Sequence, residues 1–125
     1  MKPLGELESA VMGVVWAIDE PATIRQVLDG LAPRALAHTT VITIAERLRV
    51  KGMLTRERDG RSYRYTATMT TDEYAGRLMN QVLHSSSDRA GALLSFAGQL
   101  DAEAVAELRE ALARAEGAAS REEPL

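Results

Sequence analysis

A run of short polar side chains, followed by an arginine one helical turn later, is the part of the sequence best suited to chemistry with another molecule. Its members are Thr39, Thr40, Ile42, Thr43 and Arg47. A helix that enters the DNA major groove points its first residues at base edges, where threonine can donate or accept and a methyl group can meet thymine. These residues are therefore predicted to contact bases or phosphates.

The same residues admit plainer roles. Thr39 or Thr40 can cap the helix, and Ile42 can belong partly to the core. Arg47 can pair in solvent with Glu46 or a neighbouring acid. The DNA-contact prediction and these alternatives stay open at this point.

Two further arginines, Arg58 and Arg61, bracket the pair Asp59-Gly60, which is a strong signal for a β-hairpin turn. A turn at that pair would place Arg58 opposite Arg61 and Arg56 opposite Tyr63. Arginine at a hairpin tip suits a narrow minor groove, although charge at a tip also serves solubility. Both arginines are predicted to contact DNA.

Charge is divided along the chain although the total is only −3. Residues 34–64 hold eight bases against three acids, a net of +5, and residues 70–125 hold five bases against ten acids, a net of −5. Phosphate contacts are made by clustered lysine and arginine, so only the middle of the chain is predicted to face a polyanion.

Several kinds of chemistry lack their residues. The chain has no cysteine, and its two histidines, His38 and His84, have no partners at metal-ligand spacing. No nucleophile elbow, phosphate loop or dinucleotide motif occurs, so neither an enzyme, a metal nor a cofactor is expected. A small helical enzyme would need a polar cleft that the sequence does not indicate. With no apolar run of membrane-spanning length, a cytoplasmic protein is expected.

The elements that must position these residues follow from periodicity and caps. A helix over about residues 5–19 carries Trp16, expected to be a core or interface anchor, and the capping box of Thr23 and Gln26 opens a second helix. The third helix ends near Gly52 and is followed by the hairpin. Mainly helical structure with a small hairpin wing, in this order, predicts a winged helix-turn-helix.

Residues 7–67 resemble the penicillinase-repressor family, the winged-helix regulators of the BlaI and MecI type. The matching text is Glu8-x-x-Val11-Met12-x-x-Val15-Trp16, Thr39-Thr40-Val41-x-Thr43, Arg47-Leu48, Lys51-Gly52 and Gly60-Arg61-x-Tyr63-x-Tyr65. The resemblance implies a homodimeric repressor of β-lactamase or related genes that binds a palindromic operator. It also implies induction by a membrane sensor and protease system that cuts the repressor.

Three positions depart from the family pattern. Ile42 stands where the family often has a base-reading arginine, and His38 stands where a tyrosine is frequent. The family's cleavage site, an Asn-Phe bond, would fall at Ser95-Phe96, which is the possible cleavage site here.

The C-terminal part is predicted to form a helical dimerisation region. A capping box at Thr70 and Glu73 opens a helix, a short apolar helix ends at Gly98, and Asp101 caps a last helix. These helices carry more apolar residues than they can bury alone, so a second copy is predicted to cover them. The residues concerned are Leu78, Val82, Leu93, Leu94, Leu108 and Leu112.

The predicted domains are a winged-helix DNA-binding domain over 1–69, the dimerisation domain over 70–116 and a disordered tail over 117–125. Two rivals remain, the small helical enzyme and a winged helix used only for contact with another protein. A wing without phosphate-facing bases would favour the second, and Arg58 and Arg61 argue against it.

Overall fold

The computed structural model of the chain describes residues 3–122, with side chains through residue 120. The elements in chain order are helix α1 (Glu6–Ile18), strand β1 (Ala22–Thr23), α2 (Ile24–Gly30), a 3₁₀ turn (Ala32–Arg34), α3 (His38–Val50), β2 (Leu54–Asp59), β3 (Ser62–Ala67), α4 (Thr71–Ser85), α5 (Arg89–Gly98) and α6 (Ala102–Glu122). They form two compact units, Met1–Met79 and Asn80–Leu125, so the break lies inside α4.

The start of α2 is fixed by the predicted capping box. The Thr23 hydroxyl accepts from the Gln26 amide nitrogen at 3.1 Å, and the Gln26 side-chain oxygen accepts from the Thr23 nitrogen at 2.9 Å. Reciprocal bonds of this kind satisfy two amide groups that the first helical turn leaves unpaired. The preceding pair, Ala22 and Thr23, was not predicted as a strand, yet it pairs with β3.

Helix α3 starts two or three residues earlier than a threonine cap would place it. Its N-cap is Ala37, which makes no side-chain cap bond, so the expected capping role of Thr39 or Thr40 is wrong. Both threonines lie inside the first turn because the chain turns through a left-handed residue, Ala35, and is already extended at Ala37. At the other end Gly52 adopts φ +84°, as the predicted left-handed cap requires.

Strands β2 and β3 form the predicted hairpin, called the wing below (residues 54–67), but with a different register. Asp59 pairs with Ser62, Arg58 with Tyr63 and Arg56 with Tyr65, so the turn is Gly60-Arg61 and not Asp59-Gly60. Gly60 has φ +64° and Arg61 does not have a positive φ, the pattern of a type II′ turn with glycine first. The three-stranded antiparallel sheet has the order β1-β3-β2.

The core of the first unit joins α1, α2, α3 and the wing. Its fully buried larger side chains are Met12, Leu48, Met53, Leu54, Val11, Val27 and Val41. Trp16 is half-buried against it and anchors the chain after the wing, since its indole nitrogen donates to the Met69 carbonyl at 2.9 Å. Its ring also meets Tyr74, with centroids 5.9 Å apart. Three helices followed by a wing make this unit a winged helix-turn-helix.

The second unit is helical. Asp88 caps α5 by accepting from the Gly91 nitrogen at 2.9 Å, and Asp101 caps α6 by accepting from the Ala104 nitrogen at 2.8 Å. Within residues 80–120 no side chain is buried. Helix α6 runs to Glu122, so residues 117–122 are helical where the sequence predicted a disordered tail; residues 123–125 lie outside the described part. The helix continues beyond Leu112, the last predicted apolar residue of α6. Ala118 and Ala119 favour this extension because alanine has the highest helix propensity.

Candidate nucleic-acid interface

The outward face of α3 gathers most of the predicted contact residues. Thr39, Thr40, Thr43 and Arg47 line a shallow cleft together with Leu7 and Ile44. Of these, Thr39, Thr43 and Arg47 are exposed and Thr40 is half-buried. Ile42, also half-buried, is not part of the cleft lining.

Thr43 is held in a fixed orientation by its own helix. Its hydroxyl donates to the Thr39 carbonyl oxygen at 3.0 Å. The donor is then occupied, while the lone pairs of the oxygen are free to accept from a base amino group. Adenine and cytosine present such donors in the major groove.

The wing tip carries the other two predicted contacts. Arg58 is exposed near the end of β2, and its Nε donates to the Gly60 carbonyl at 3.1 Å. Arg61 lies in the turn itself. It is exposed, as are its chain neighbours Gly60 and Ser62. Both guanidinium groups are carried on a short, tightly turned hairpin.

Ion pairing separates the eight bases of residues 34–64 into two groups. Five of them lie within 4.0 Å of a carboxylate; they are Arg34, Arg49, Lys51, Arg56 and Arg64. Within residues 3–120 the other three, Arg47, Arg58 and Arg61, make no ion pair within 4.0 Å, although the charge of Arg47 acts on Glu8 from further away and helps to lower the pKa of Glu8. These three, called the free arginines below, are the same three that the sequence predicted for DNA contact. The solvated pairing of Arg47 with Glu46, which the sequence left open, does not occur.

Glu46, which the sequence marks only as a possible partner of Arg47, connects α3 to the wing. Its carboxylate accepts from the Tyr65 hydroxyl at 2.7 Å, from Arg56 at 2.6 Å and from Arg49 Nε at 3.2 Å. Burial acts to raise the pKa of Glu46, but the hydrogen bonds from Tyr65 and Arg49 and the charges of Arg49 and Arg56 outweigh it and lower that pKa. The spacing of Glu46 and Arg49 at i, i+3 was a visible signal; the contacts to the wing were not.

A second carboxylate, Glu8, ties the end of α3 to the start of α1. It is 6% exposed, forms an ion pair with Lys51 Nζ at 2.7 Å and accepts a hydrogen bond from the Gly5 backbone nitrogen at 2.9 Å. The hydrogen bond from Lys51 lowers the pKa of Glu8 most, with a further contribution from the Gly5 amide. This contact gives Glu8 and Lys51, both in the quoted family pattern, a structural role.

The predicted dimerisation residues are exposed in the single chain, apart from Leu78, which is half-buried. Val82 is 66% exposed, Leu94 is 76% exposed and Leu112 is 53% exposed. Leu93, Leu108 and Phe96 are also exposed large apolar side chains. Ser95 and Phe96 lie within α5, where the carbonyls of both accept from Gln99.

Residues 3–120 contain no group of three or more His, Cys, Asp or Glu side chains placed to hold a metal ion. Among the helices described, none combines the length and apolar character needed to cross a membrane.

Comparison with known proteins gives matches at two levels. The family described as penicillinase repressor matches residues 4–114. The protein named transcriptional regulator BlaI in two strains of Mycobacterium tuberculosis is 41% identical over 117 residues, which cover 90% of this chain and 85% of that protein.

Solved structures give more distant matches. A transcriptional regulator from Thermotoga maritima has a TM-score of 0.48 and 18% identity, covering 97% of this chain and 80% of that one. The PcaV transcriptional regulator from Streptomyces coelicolor has a TM-score of 0.48 and 21% identity, covering 93% of this chain and 77% of that one.

Proposed function

The chain belongs to the penicillinase repressor family, and we propose that it is a homodimeric transcriptional repressor that binds palindromic operator DNA, one half-site per winged helix. Helix α3 enters the major groove and the wing lies over the adjacent backbone and minor groove. Repression follows because the bound dimer occludes the promoter.

One observation carries the DNA-binding proposal. Of the eight bases between residues 34 and 64, the three that make no ion pair within 4.0 Å in the described part of the chain are Arg47 on α3 and Arg58 and Arg61 on the wing. A cation that is already paired must break that pair before it can neutralise a phosphate, whereas these three need not. They sit on the two elements that a winged helix applies to DNA.

Each part of the interface has its own task. The free arginines bind phosphates or groove edges and set orientation, which carries little sequence information by itself. The hydroxyls of Thr39, Thr40 and Thr43 and the methyl surface of Ile42 read base edges. Because Ile42 has no polar group, the sequence preference at its position rests on apolar contact, most simply with a thymine methyl.

The dimer is supported by the second unit. Three helices that bury no side chain within residues 80–120 have no core of their own, so their apolar faces need another surface. A second copy of the same helices supplies it with two-fold symmetry, and the operator should then carry two half-sites about 34–36 Å or a multiple apart.

Mutation of the apolar stripe tests the dimer. Leu94→Glu together with Leu112→Glu is expected to convert the full chain to monomer, because two buried charges per chain cannot be solvated in an apolar interface. Sedimentation velocity measures the mass. Glu107→Lys on α6 changes charge off the apolar stripe and should leave the dimer intact. A monomeric wild type, or a double variant that still sediments as dimer, contradicts the proposal.

Release from DNA is proposed to follow cleavage at Ser95-Phe96 through a membrane sensor and protease system, and the controlled genes are proposed to encode β-lactamase or related functions. A cut in α5 would detach α6 and its share of the dimer face. Each winged helix would then bind a half-site without the effective concentration that its tethered partner supplies.

Selection from genomic DNA tests the function as a whole. The full chain is incubated with sheared genomic fragments, and the retained fragments are sequenced. Enrichment of a two-fold symmetric motif upstream of genes is expected. If no fragment is enriched over a mock selection, the DNA-binding proposal fails and the winged helix serves contact with another protein instead.

A further inference from the structure

Among the residues that the structure describes, Glu46 is the carboxylate that bridges α3 and the wing by direct contacts. Glu46 lies on α3 and accepts hydrogen bonds from the Tyr65 hydroxyl of β3 and from one guanidinium nitrogen of Arg56 on β2. Arg56 is directly opposite Tyr65 in the sheet register, so each strand of the wing donates one side-chain hydrogen bond to the same carboxylate. The wing is therefore attached to the recognition helix at a point outside the apolar core.

The attachment is stiff for physical reasons. Tyr65 is 2% exposed, and its ring fixes where its hydroxyl points. Arg56 is held on its other side by the ring of Tyr63, with the guanidinium carbon 4.1 Å from the ring centroid. Charge-assisted hydrogen bonds are stronger and more directional than neutral ones, so the two contacts from the wing, made by Tyr65 and Arg56, set its position relative to α3.

Glu46 also controls charge at the candidate interface. It neutralises Arg49 and Arg56, whose side chains are 37% and 30% exposed. Both would otherwise be partly solvated cations on α3 and the wing, the two elements proposed to contact DNA. Such cations bind phosphate regardless of base sequence, and added sequence-independent affinity lowers discrimination between sites.

We propose that Glu46 is a specificity-determining positioning residue, which fixes the wing against α3 and withholds Arg49 and Arg56 from DNA phosphates. The inference rests on the proposed DNA-binding function and deepens it. Glu46 itself touches no base; it acts through the geometry of the wing and through the number of cations left free.

The test compares the affinity of the full chain for the selected operator with its affinity for a scrambled duplex of equal length. Glu46→Gln keeps the side-chain shape and removes the charge. It is expected to raise affinity for scrambled DNA with a steeper salt dependence, by up to about 4 in slope if both arginines of both protomers engage phosphates. The ratio of operator to scrambled affinity is expected to fall about tenfold, as for loss of a charge-assisted contact.

Two further variants separate the causes. Tyr65→Phe removes one hydrogen bond to Glu46 without changing charge, so it should lower the ratio several-fold and leave the salt dependence on scrambled DNA unchanged. Asp59→Asn is the matched charge control, since Asp59 pairs only with Arg64 inside the hairpin. It frees one cation on the wing without altering the Glu46 contacts, so it should steepen the salt dependence on scrambled DNA by up to about 2 and lower the ratio clearly less than Glu46→Gln does.

The outcomes are distinct. If Glu46→Gln and Tyr65→Phe both keep the wild-type ratio while remaining folded by circular dichroism, the role of Glu46 is refuted. If Asp59→Asn lowers the ratio as much as Glu46→Gln, charge alone explains the effect and the positioning role is refuted. A wild type that binds operator and scrambled DNA equally refutes the proposed function itself. Should Glu46→Gln fail to fold, Tyr65→Phe alone decides.

Discussion

Replacing Arg61 with alanine should make DNA binding measurably less sensitive to salt, whereas replacing Arg64 should not. Arg61 is exposed in the wing turn and has no ion pair within the described residues, while Arg64 lies three residues away and is paired with Asp59 at 2.7 Å. The two arginines share the same hairpin and differ in pairing. They are therefore a matched test of whether the free cations are the ones that contact phosphate.

The magnitude follows from the number of free arginines. Each phosphate neutralised contributes about 0.9 to the slope of log affinity against log salt. Three free arginines per protomer give six in a dimer, and hence a slope of about −5.4; if all eight bases of residues 34–64 contacted phosphate, the slope would be about −14. Arg61→Ala removes two of the six and should reduce the slope by about 2.

Fluorescence anisotropy of a labelled operator duplex measures this slope over a range of salt from about 50 to 200 mM, where the effect on affinity is large. The expected result is a slope of about −5.4 for wild type, a slope of about −3.6 for Arg61→Ala and a near wild-type slope for Arg64→Ala. An equal loss of slope in both variants, or none in Arg61→Ala, refutes the assignment of the free arginines as the phosphate contacts.

Three other outcomes are expected. Thr43→Ala should change which base is preferred at one position of each half-site more than it changes affinity for scrambled DNA, as binding to a panel of single-base operator variants will show; equal losses on every duplex would contradict base reading by Thr43. The pKa of Glu8 is lowered in the folded chain, so its stabilising contact with Lys51 is fully present above the ordinary value of 4.5 and is lost as pH falls through the lowered value. Glu8→Gln should therefore lower the free energy of unfolding at neutral pH by about 2 kcal/mol, and it should reduce the loss of that free energy as the pH becomes acidic. Urea unfolding measures both effects, and Glu6→Gln, at an exposed residue, should show neither. Cells induced with a β-lactam should contain fragments ending at Ser95 and starting at Phe96 by mass spectrometry, and intact repressor throughout a demonstrated induction would remove this route of release.

Features set by neighbouring residues were predictable from the sequence. The capping boxes at Thr23 and Thr70 form as expected, because each needs only two side chains three residues apart. The left-handed conformation of Gly52 follows in the same way from the end of the helical pattern. Local chemistry therefore placed α2, α3 and α4 to within a few residues, and with them the winged-helix order.

Features set by contacts between distant segments were not predictable. The hairpin turn moved to Gly60-Arg61 because the pairing that buries Tyr65 against the core requires that register, and an Asp-Gly pair alone does not reveal it. The two-residue strand β1 exists only through its pairing with β3. The sequence marks Glu46 only as a possible partner for Arg47, since nothing in it shows that Tyr65 and Arg56 donate hydrogen bonds to the Glu46 carboxylate.

The candidate site was predicted in part. Residue types and spacing selected Arg47, Arg58 and Arg61 from eight bases, but the reason they differ from the others appears only in three dimensions, where the other five find carboxylates. Two of those carboxylates, Glu6 and Glu8, lie on α1, far from their partners in sequence. Counting charges along the chain predicts the sign of the net charge of a segment. It does not predict which of its cations are left unpaired and available to a ligand.

Hydroxyl-radical footprinting of the full chain on an operator selected from genomic DNA shows whether two winged helices occupy one site, because it reports which sugars a bound dimer covers. The proposed dimer predicts two equal protected tracts related by the two-fold axis of the site, with centres about 34–36 Å or a multiple apart along the duplex. It also predicts that Arg58→Ala with Arg61→Ala removes protection at the outer, wing-covered edge of each tract and leaves the centre. A single asymmetric tract, or no protection at concentrations that saturate retention, would contradict it.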